Sequence, residues 1–146
     1  LNNLLTATYD PSYIDYNYPT AIGLSAKLKH VYGLKSGTTS SDNWNIGFNK
    51  QVLCAVWVGY DDNTELEKKD YKYAQNIWYK TVENYEEGMN DKDVWYEKPS
   101  NVVGVLVEPI SGRPATDQDE NPKLMYFLKG TEPKGDEPVF DEIERN

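Results

Sequence analysis

HVYGLKSGTTSSDNWNIGFNKQVLCAVWVGYD, residues 30–61, is the stretch on which the fold turns. It breaks into three runs, HVYGLKSGTT, NWNIGFNK and QVLCAVWVGYD, rich in the β-branched and aromatic residues that suit a pleated, half-buried surface. The joins, residues 40–42 and 49–50, are very short. Parallel strands need a crossover of a dozen or more residues, whereas antiparallel neighbours can be joined by two. The stretch therefore predicts a three-stranded antiparallel meander.

Working outward, residues 1–29 carry short apolar clusters interrupted by Asp10-Pro11 and Tyr18-Pro19, which suits loops and short helices. After the third run comes a turn, DDNTELEKK, and then YKYAQNIWYKTVENYEEG. Ala74, Ile77, Trp78, Val82 and Tyr85 recur there at helical spacing, which predicts a helix over about 71–87, N-capped by Asp70, ended near Gly88 and packed on the sheet. NVVGVLVEP predicts a further strand at about 101–108, and ISGRPAT a turn. The expected fold class is α+β. Residues 1–116 form one unit, and 117–146 form an acidic, proline-containing extension with nine acids against four bases, a net of −5, expected to be extended and partly solvated.

Composition narrows the function. Of 146 residues, 13% are aromatic, too many for a disordered polymer. The formal charge of −9, with no basic cluster, would repel a phosphate backbone and excludes nucleic acid as a partner. The single cysteine, Cys54, permits no intrachain disulfide and no cysteine metal cluster, and its place in an apolar strand suits a packed thiol. The single histidine, His30, has no triad partner motif nearby and reads as a packed or surface residue. No metal site and no cofactor are expected. Asp117-x-Asp119-x-Asn121 begins like a calcium loop, but Pro122 stands where the glycine is needed and Leu128 where the bidentate glutamate belongs. Asp61-Asp62-Asn63 lacks the glycine too. No run approaches the ~20 apolar residues of a membrane span.

The candidate site is Lys35-Ser36-Gly37-Thr38-Thr39. In a strand, Ser36 and Thr38 share one face, and Lys35 shares the other with Gly37. The glycine lets a backbone or ligand approach, the hydroxyls can grip a carboxylate, and the lysine adds positive charge, a set suited to an anionic substrate laid along a strand edge. Taken alone, KSGTT would equally describe a glycine-containing bend with solvated hydroxyls.

KSGTT is followed by Asp42-x-Trp44, Gly47-Phe48, AVWVGYDD at 55–62, a helix with Ile77-Trp78, VVGVLVEPISG at 102–112 and YFLKGTEP at 126–133. This succession resembles the C-terminal part of the transpeptidase domain of bifunctional (class A) penicillin-binding proteins of Gram-positive type, and so implies part of a β-lactamase/transpeptidase-like fold. That family carries Ser-x-x-Lys with the nucleophile, Ser-x-Asn, and Lys-[Ser/Thr]-Gly. Only the third is here. Ser12, Ser25, Ser36, Ser40, Ser41, Ser100 and Ser111 all lack a lysine three residues on. Ser41-Asp42-Asn43 spells S-D-N but follows KSGTT directly, whereas the family's element precedes it, so Asp42 is read as part of the Asp-x-Trp turn. The nucleophile is expected upstream of residue 1, and this chain alone is expected to be inactive.

The resemblance implies a serine acyl-transfer site that cross-links peptidoglycan stem peptides and is acylated by β-lactams. In it Lys35 balances charge near the nucleophile, Ser36, Gly37, Thr38 and Thr39 form the substrate-binding strand, and the Thr38 N–H is one oxyanion donor. It further implies an upstream glycosyltransferase domain, and an extracytoplasmic position at the bacterial membrane, reached only through an upstream anchor. Two other readings compete: a non-catalytic peptide- or carbohydrate-binding module, and a carboxypeptidase or β-lactamase-type hydrolase of the same fold. In the family the strand matching VLCAVWVGY lies inside a five-stranded sheet. Its outer edge, with an apolar face around Val56, Trp57 and Val58, is therefore expected to meet the missing N-terminal part of the domain or a second copy.

Overall fold

The computed structural model describes residues 1–88 and 94–135. The chain divides into two compact units, Leu1–Tyr96 and Glu97–Asn146.

The first unit opens with three short 3-10 helices, Asn2–Tyr9, Pro11–Tyr13 and Ile22–Leu24. Three strands follow, β1 (Gly33–Thr38), β2 (Asp42–Phe48) and β3 (Leu53–Gly59), as an antiparallel meander in the order β1-β2-β3. Helix α1, Tyr73–Glu86, packs across one face. The core under it is Ala21, Leu24, Tyr32, Leu34, Trp78 and Val82. Trp78 meets Tyr32 edge-on at 5.1 Å, and its indole N–H donates to the Cys54 carbonyl at 3.1 Å, so burial leaves no orphan donor. Burying a side chain of that size contributes about 3 kcal/mol. His30 is half-buried, 4.0 Å from the Glu86 carboxylate, and the Tyr32 hydroxyl donates to that carboxylate.

Two expectations about the helix are corrected. Asp70 does not cap α1. It lies in a preceding 3-10 turn, Lys68–Lys72, and its carboxylate accepts from the Glu67 N–H at 3.2 Å. Nor does the full apolar stripe point inward: Ala74, Trp78 and Val82 are buried, while Ile77 and Tyr85 are exposed. A helix lying on only three strands buries a single i, i+4, i+8 row.

The sheet faces also differ from a reading by hydrophobicity. The helix side carries Leu34, Asn43, Asn45 and Gly47, all buried, with Cys54 and Val56 half-buried. The opposite side carries Trp44, Ile46, Leu53 and Trp57, all exposed. The expected apolar face around Val56, Trp57 and Val58 therefore does not exist as one face. Alternation sends Val56 and Val58 toward α1, and pairs Trp57 with Trp44 on the other side.

In the second unit, β4 (Val102–Val107) pairs antiparallel with β5 (Lys123–Leu128). The loop between them is tied by a two-pronged ion pair, Arg113 to Asp119 at 2.6 and 2.8 Å, and by Glu108, whose carboxylate accepts from the Ile110 and Ser111 N–H groups. The hairpin corrects the division expected at 116/117. That point lies inside the connection between two paired strands, and the chain divides after Tyr96 instead. The acid count of 117–146 concealed the apolar run KLMYFL, which forms β5. Residues 136–146 of the expected extension lie outside the described residues.

Candidate functional site

β1 stands at one end of the sheet order, so its outer edge has no strand partner among the described residues. Its register pairs Lys35 with Ile46, Ser36 with Asn45, Gly37 with Trp44 and Thr38 with Asn43. The Thr39 N–H donates to the Asp42 carbonyl at 2.9 Å, and so points toward β2. Successive N–H groups of an extended strand point to opposite sides, which directs the Thr38 N–H to the free edge.

Asp42 fixes the turn after the strand. Its carboxylate accepts from Trp57 Nε1 at 2.9 Å, Thr39 Oγ1 at 3.0 Å and Ser41 Oγ at 3.1 Å. These hydrogen bonds, the Trp57 one foremost, hold the Asp42 carboxyl below the usual carboxylate range. Thr39 Oγ1 also accepts from the Ser41 and Asp42 N–H groups, so the Thr39 hydroxyl is fully engaged in the turn.

Ser36 and Thr38 lie on the α1 side. Ser36 Oγ donates to Thr20 Oγ1 at 3.2 Å, and the Thr20 carbonyl accepts from the Gln75 side chain at 3.4 Å. Thr38 Oγ1 accepts from Asn43 Nδ2 at 3.3 Å, and its own O–H has no acceptor among the described residues. Lys35 projects to the other face, exposed, with its Nζ donating to the Ser36 carbonyl at 2.5 Å. A Cβ added at Gly37 would meet only Trp44 Cβ, at 3.6 Å, so nothing in the described chain requires glycine there. The structure thus brings the Ser36 and Thr38 hydroxyls to one side of the edge, sets Lys35 on the other, and commits Thr39 to the turn.

Sequence reading missed Thr20, Asn43 and Asn45. Thr20 is sixteen residues from Ser36 and no local pattern connects them. Asn43 and Asn45 were legible in principle, because a polar residue facing Thr38 and another facing Ser36 follow once the register is set. Asn45 is buried, and both polar atoms of its amide lack a partner among the described residues. Asn43 is satisfied on both sides, donating to Thr38 and accepting from the Ala74 N–H at 3.1 Å. Cys54 is half-buried, and burial pushes its thiol pKa up, away from a reactive thiolate. Asp119, at the apparent calcium motif, is instead bound by Arg113, whose hydrogen bonds hold its carboxyl far below the ordinary range.

The family model of the penicillin-binding protein 1A C-terminal domain matches residues 98–138. Penicillin-binding protein 2D of Bacillus subtilis is 33% identical over 132 residues, which cover 90% of this chain and 19% of that protein. Penicillin-binding protein 1A of Pseudomonas aeruginosa is 31% identical over 86 residues, 56% of this chain and 10% of that one. The crystal structure of penicillin-binding protein 1A from Haemophilus influenzae superposes with a TM-score of 0.66 at 25% identity, covering 80% of this chain and 18% of that one. The chain belongs to the class A penicillin-binding proteins. It spans about a fifth of the length of the first curated relative. Among the described residues no helix is long and apolar enough to cross a membrane.

Proposed function

We propose that this chain supplies the substrate-binding edge strand of a serine D-alanyl-D-alanine transpeptidase that cross-links peptidoglycan stem peptides and is acylated by β-lactams. A serine upstream of residue 1 attacks the penultimate carbonyl of a stem peptide. The terminal D-alanine leaves with a proton, and the acyl group passes from the serine to a neighbouring amine. The protein works at the extracytoplasmic face of the membrane, held by an upstream anchor, with a glycosyltransferase domain also upstream.

One observation carries the reading: KSGTT occupies a sheet edge with no strand partner among the described residues, in a chain of this family, with the Thr38 N–H directed outward. In the carbonyl's tetrahedral state that N–H serves as one oxyanion donor, the other coming from the nucleophile's own backbone. Loss of one such donor costs on the order of 3–4 kcal/mol of barrier. The Ser36 and Thr38 hydroxyls take the terminal carboxylate, and Lys35 supplies positive charge on the side where the nucleophile docks. Gly37 leaves the strand uncovered for the ligand, and Thr39 holds the turn that aims it.

Labelling of the full-length protein with a fluorescent penicillin tests this. Thr38→Val should slow acylation about tenfold or more through the lost hydrogen bond to a charged group, and Lys35→Ala more than that, both with the fold intact. The 146-residue chain alone should form no adduct by intact mass. Parental acylation rates in both variants would reduce KSGTT to a bend, and a stable adduct on any serine of this chain would place the nucleophile wrongly.

A further inference from the structure

The Thr38 hydroxyl is held by a side chain that the transpeptidase reading does not use. Asn43 is buried, 3% exposed, directly across the ladder from Thr38. Its Oδ1 accepts from the Ala74 N–H at 3.1 Å, in the first turn of α1. An amide oxygen facing an N–H fixes which end of the amide is which, so the end facing Thr38 is Nδ2, a donor only. It donates into Thr38 Oγ1 at 3.3 Å. A hydroxyl that accepts from a fixed donor must send its own proton elsewhere, and the Thr38 proton meets no acceptor among the described residues.

We infer that Asn43 is a positioning residue that presets the Thr38 hydroxyl as a hydrogen-bond donor to the carboxylate of the bound peptide or β-lactam. The inference rests on the reading that Thr38 binds that carboxylate. The helix N–H orients the amide, the amide orients the hydroxyl, and the hydroxyl proton points to the anion. Each link polarises the next, so the chain favours a negatively charged acceptor over a neutral one. The hydroxyl of a lone threonine would rotate among its partners, and binding would have to fix it. Here the fold fixes it beforehand.

The two ends of the amide can be separated experimentally. Asn43→Asp retains an oxygen acceptor for Ala74 N–H and exchanges the donor facing Thr38 for a charged acceptor. The Thr38 proton should then turn inward, and a like charge should face the ligand carboxylate. In the full-length protein, the second-order rate of acylation by a fluorescent penicillin should fall about tenfold or more. Asn43→Ala, which adds no charge, should cost a few-fold and provides the second variant if the first folds poorly. In a Thr38→Val background Asn43→Ala should slow acylation no further, because the hydroxyl through which Asn43 acts is gone, and Asn43→Asp should keep only the part of its loss that comes from charge repulsion. A purely structural role would instead lower the melting temperature and multiply the loss in both backgrounds. If Thr38→Val slows acylation but Asn43→Asp and Asn43→Ala react at the parental rate, or Asn43→Ala costs as much with Thr38 replaced as without, the positioning role is overturned and the site reading survives. If Thr38→Val itself reacts at the parental rate, the site reading falls and this inference with it.

Discussion

The indole N–H of Trp57 donates to the carboxylate of Asp42 at 2.9 Å, tying the third strand to the turn that ends the first. Asp42 gathers three side-chain donors, so the direction of Thr38 at the strand's end depends on a residue outside KSGTT. Asp42→Ala should release Trp57 and Thr39 together, Ser41 retaining Asn63 Oδ1 at 2.7 Å, and slow acylation of the full-length protein several-fold, roughly the worth of one hydrogen bond. The network also has a pH signature. Asp42's carboxyl is held below its ordinary value of 3.8 by the Trp57, Thr39 and Ser41 hydrogen bonds. A depressed carboxyl stabilises the folded state above that ordinary value and loses the contribution as pH falls through the folded one. The Trp57 indole N–H resonance should therefore stay fixed from neutral pH down to about 4 and shift only below it. A shift near pH 6 would show that another group governs the turn.

Gly47 marks the tightest approach in the core. A Cβ there would overlap the Trp78 ring and a Leu34 methyl, since the glycine sits under the helix at the middle of β2. Neither neighbour can yield, because both are fully buried. Gly47→Ala should destabilise by about 1–3 kcal/mol or more, seen as an earlier chemical-denaturation midpoint. Gly37→Ala, with only Trp44 Cβ in ordinary contact, should leave the midpoint nearly unchanged and affect ligand binding instead. Equal losses at the two positions would contradict the packing described.

Much of the fold was legible because the meander's strands are joined by turns too short for any other arrangement, and because Ala74, Trp78 and Val82 repeat at a helical period that packing respects. The inward side of β2 was not. Its alternation sets asparagines and a glycine inward and Trp44 and Ile46 outward, the reverse of what hydrophobicity suggests, since which face a strand buries depends on what covers it. The candidate strand could be read from KSGTT, but its supports could not. Asn43 follows only once the pairing register is set, and Thr20 and Trp57 reach the strand through tertiary contacts that no local pattern encodes. The second strand of the other unit's hairpin escaped for a different cause: charge averaged over thirty residues hid six that pair with the expected strand near 101–108.

Tyr32 should make the first unit sensitive to alkali. Burial, then the hydrogen bond to Glu86 and the charge of that carboxylate, push its hydroxyl pKa well above the ordinary 10.0. The folded state thus retains a proton that the unfolded state loses. That stability is fully present below pH 10 and declines as pH rises above it. The melting temperature should fall between pH 9 and pH 11, and the fall should shrink in Tyr32→Phe. An unchanged fall in that variant would assign the effect to Tyr9, Tyr13 or Tyr79, which burial also shifts upward.

The side of the sheet opposite α1 meets Tyr96 at Phe48 and is otherwise largely exposed. Trp44, Ile46, Leu53 and Trp57 are 43%, 37%, 70% and 41% exposed, on one face, beside the outer edge of β3, which has no strand partner among the described residues. An apolar face next to an open edge is how chains recruit further strands, and soluble monomers rarely leave one bare. In the full-length protein, on the transpeptidase reading, the rest of the domain lies there. The isolated 146-residue chain should therefore self-associate, with a scattering mass that rises with concentration. Leu53→Lys combined with Ile46→Lys should lower that mass, because both positions lie on the bare face and neither contacts the core under α1. Adding upstream segments of the same protein in trans should compete with self-association. A monodisperse, cooperatively unfolding monomer at all concentrations would mean that this sheet is complete as it stands, and that the five-stranded arrangement expected for it is mistaken.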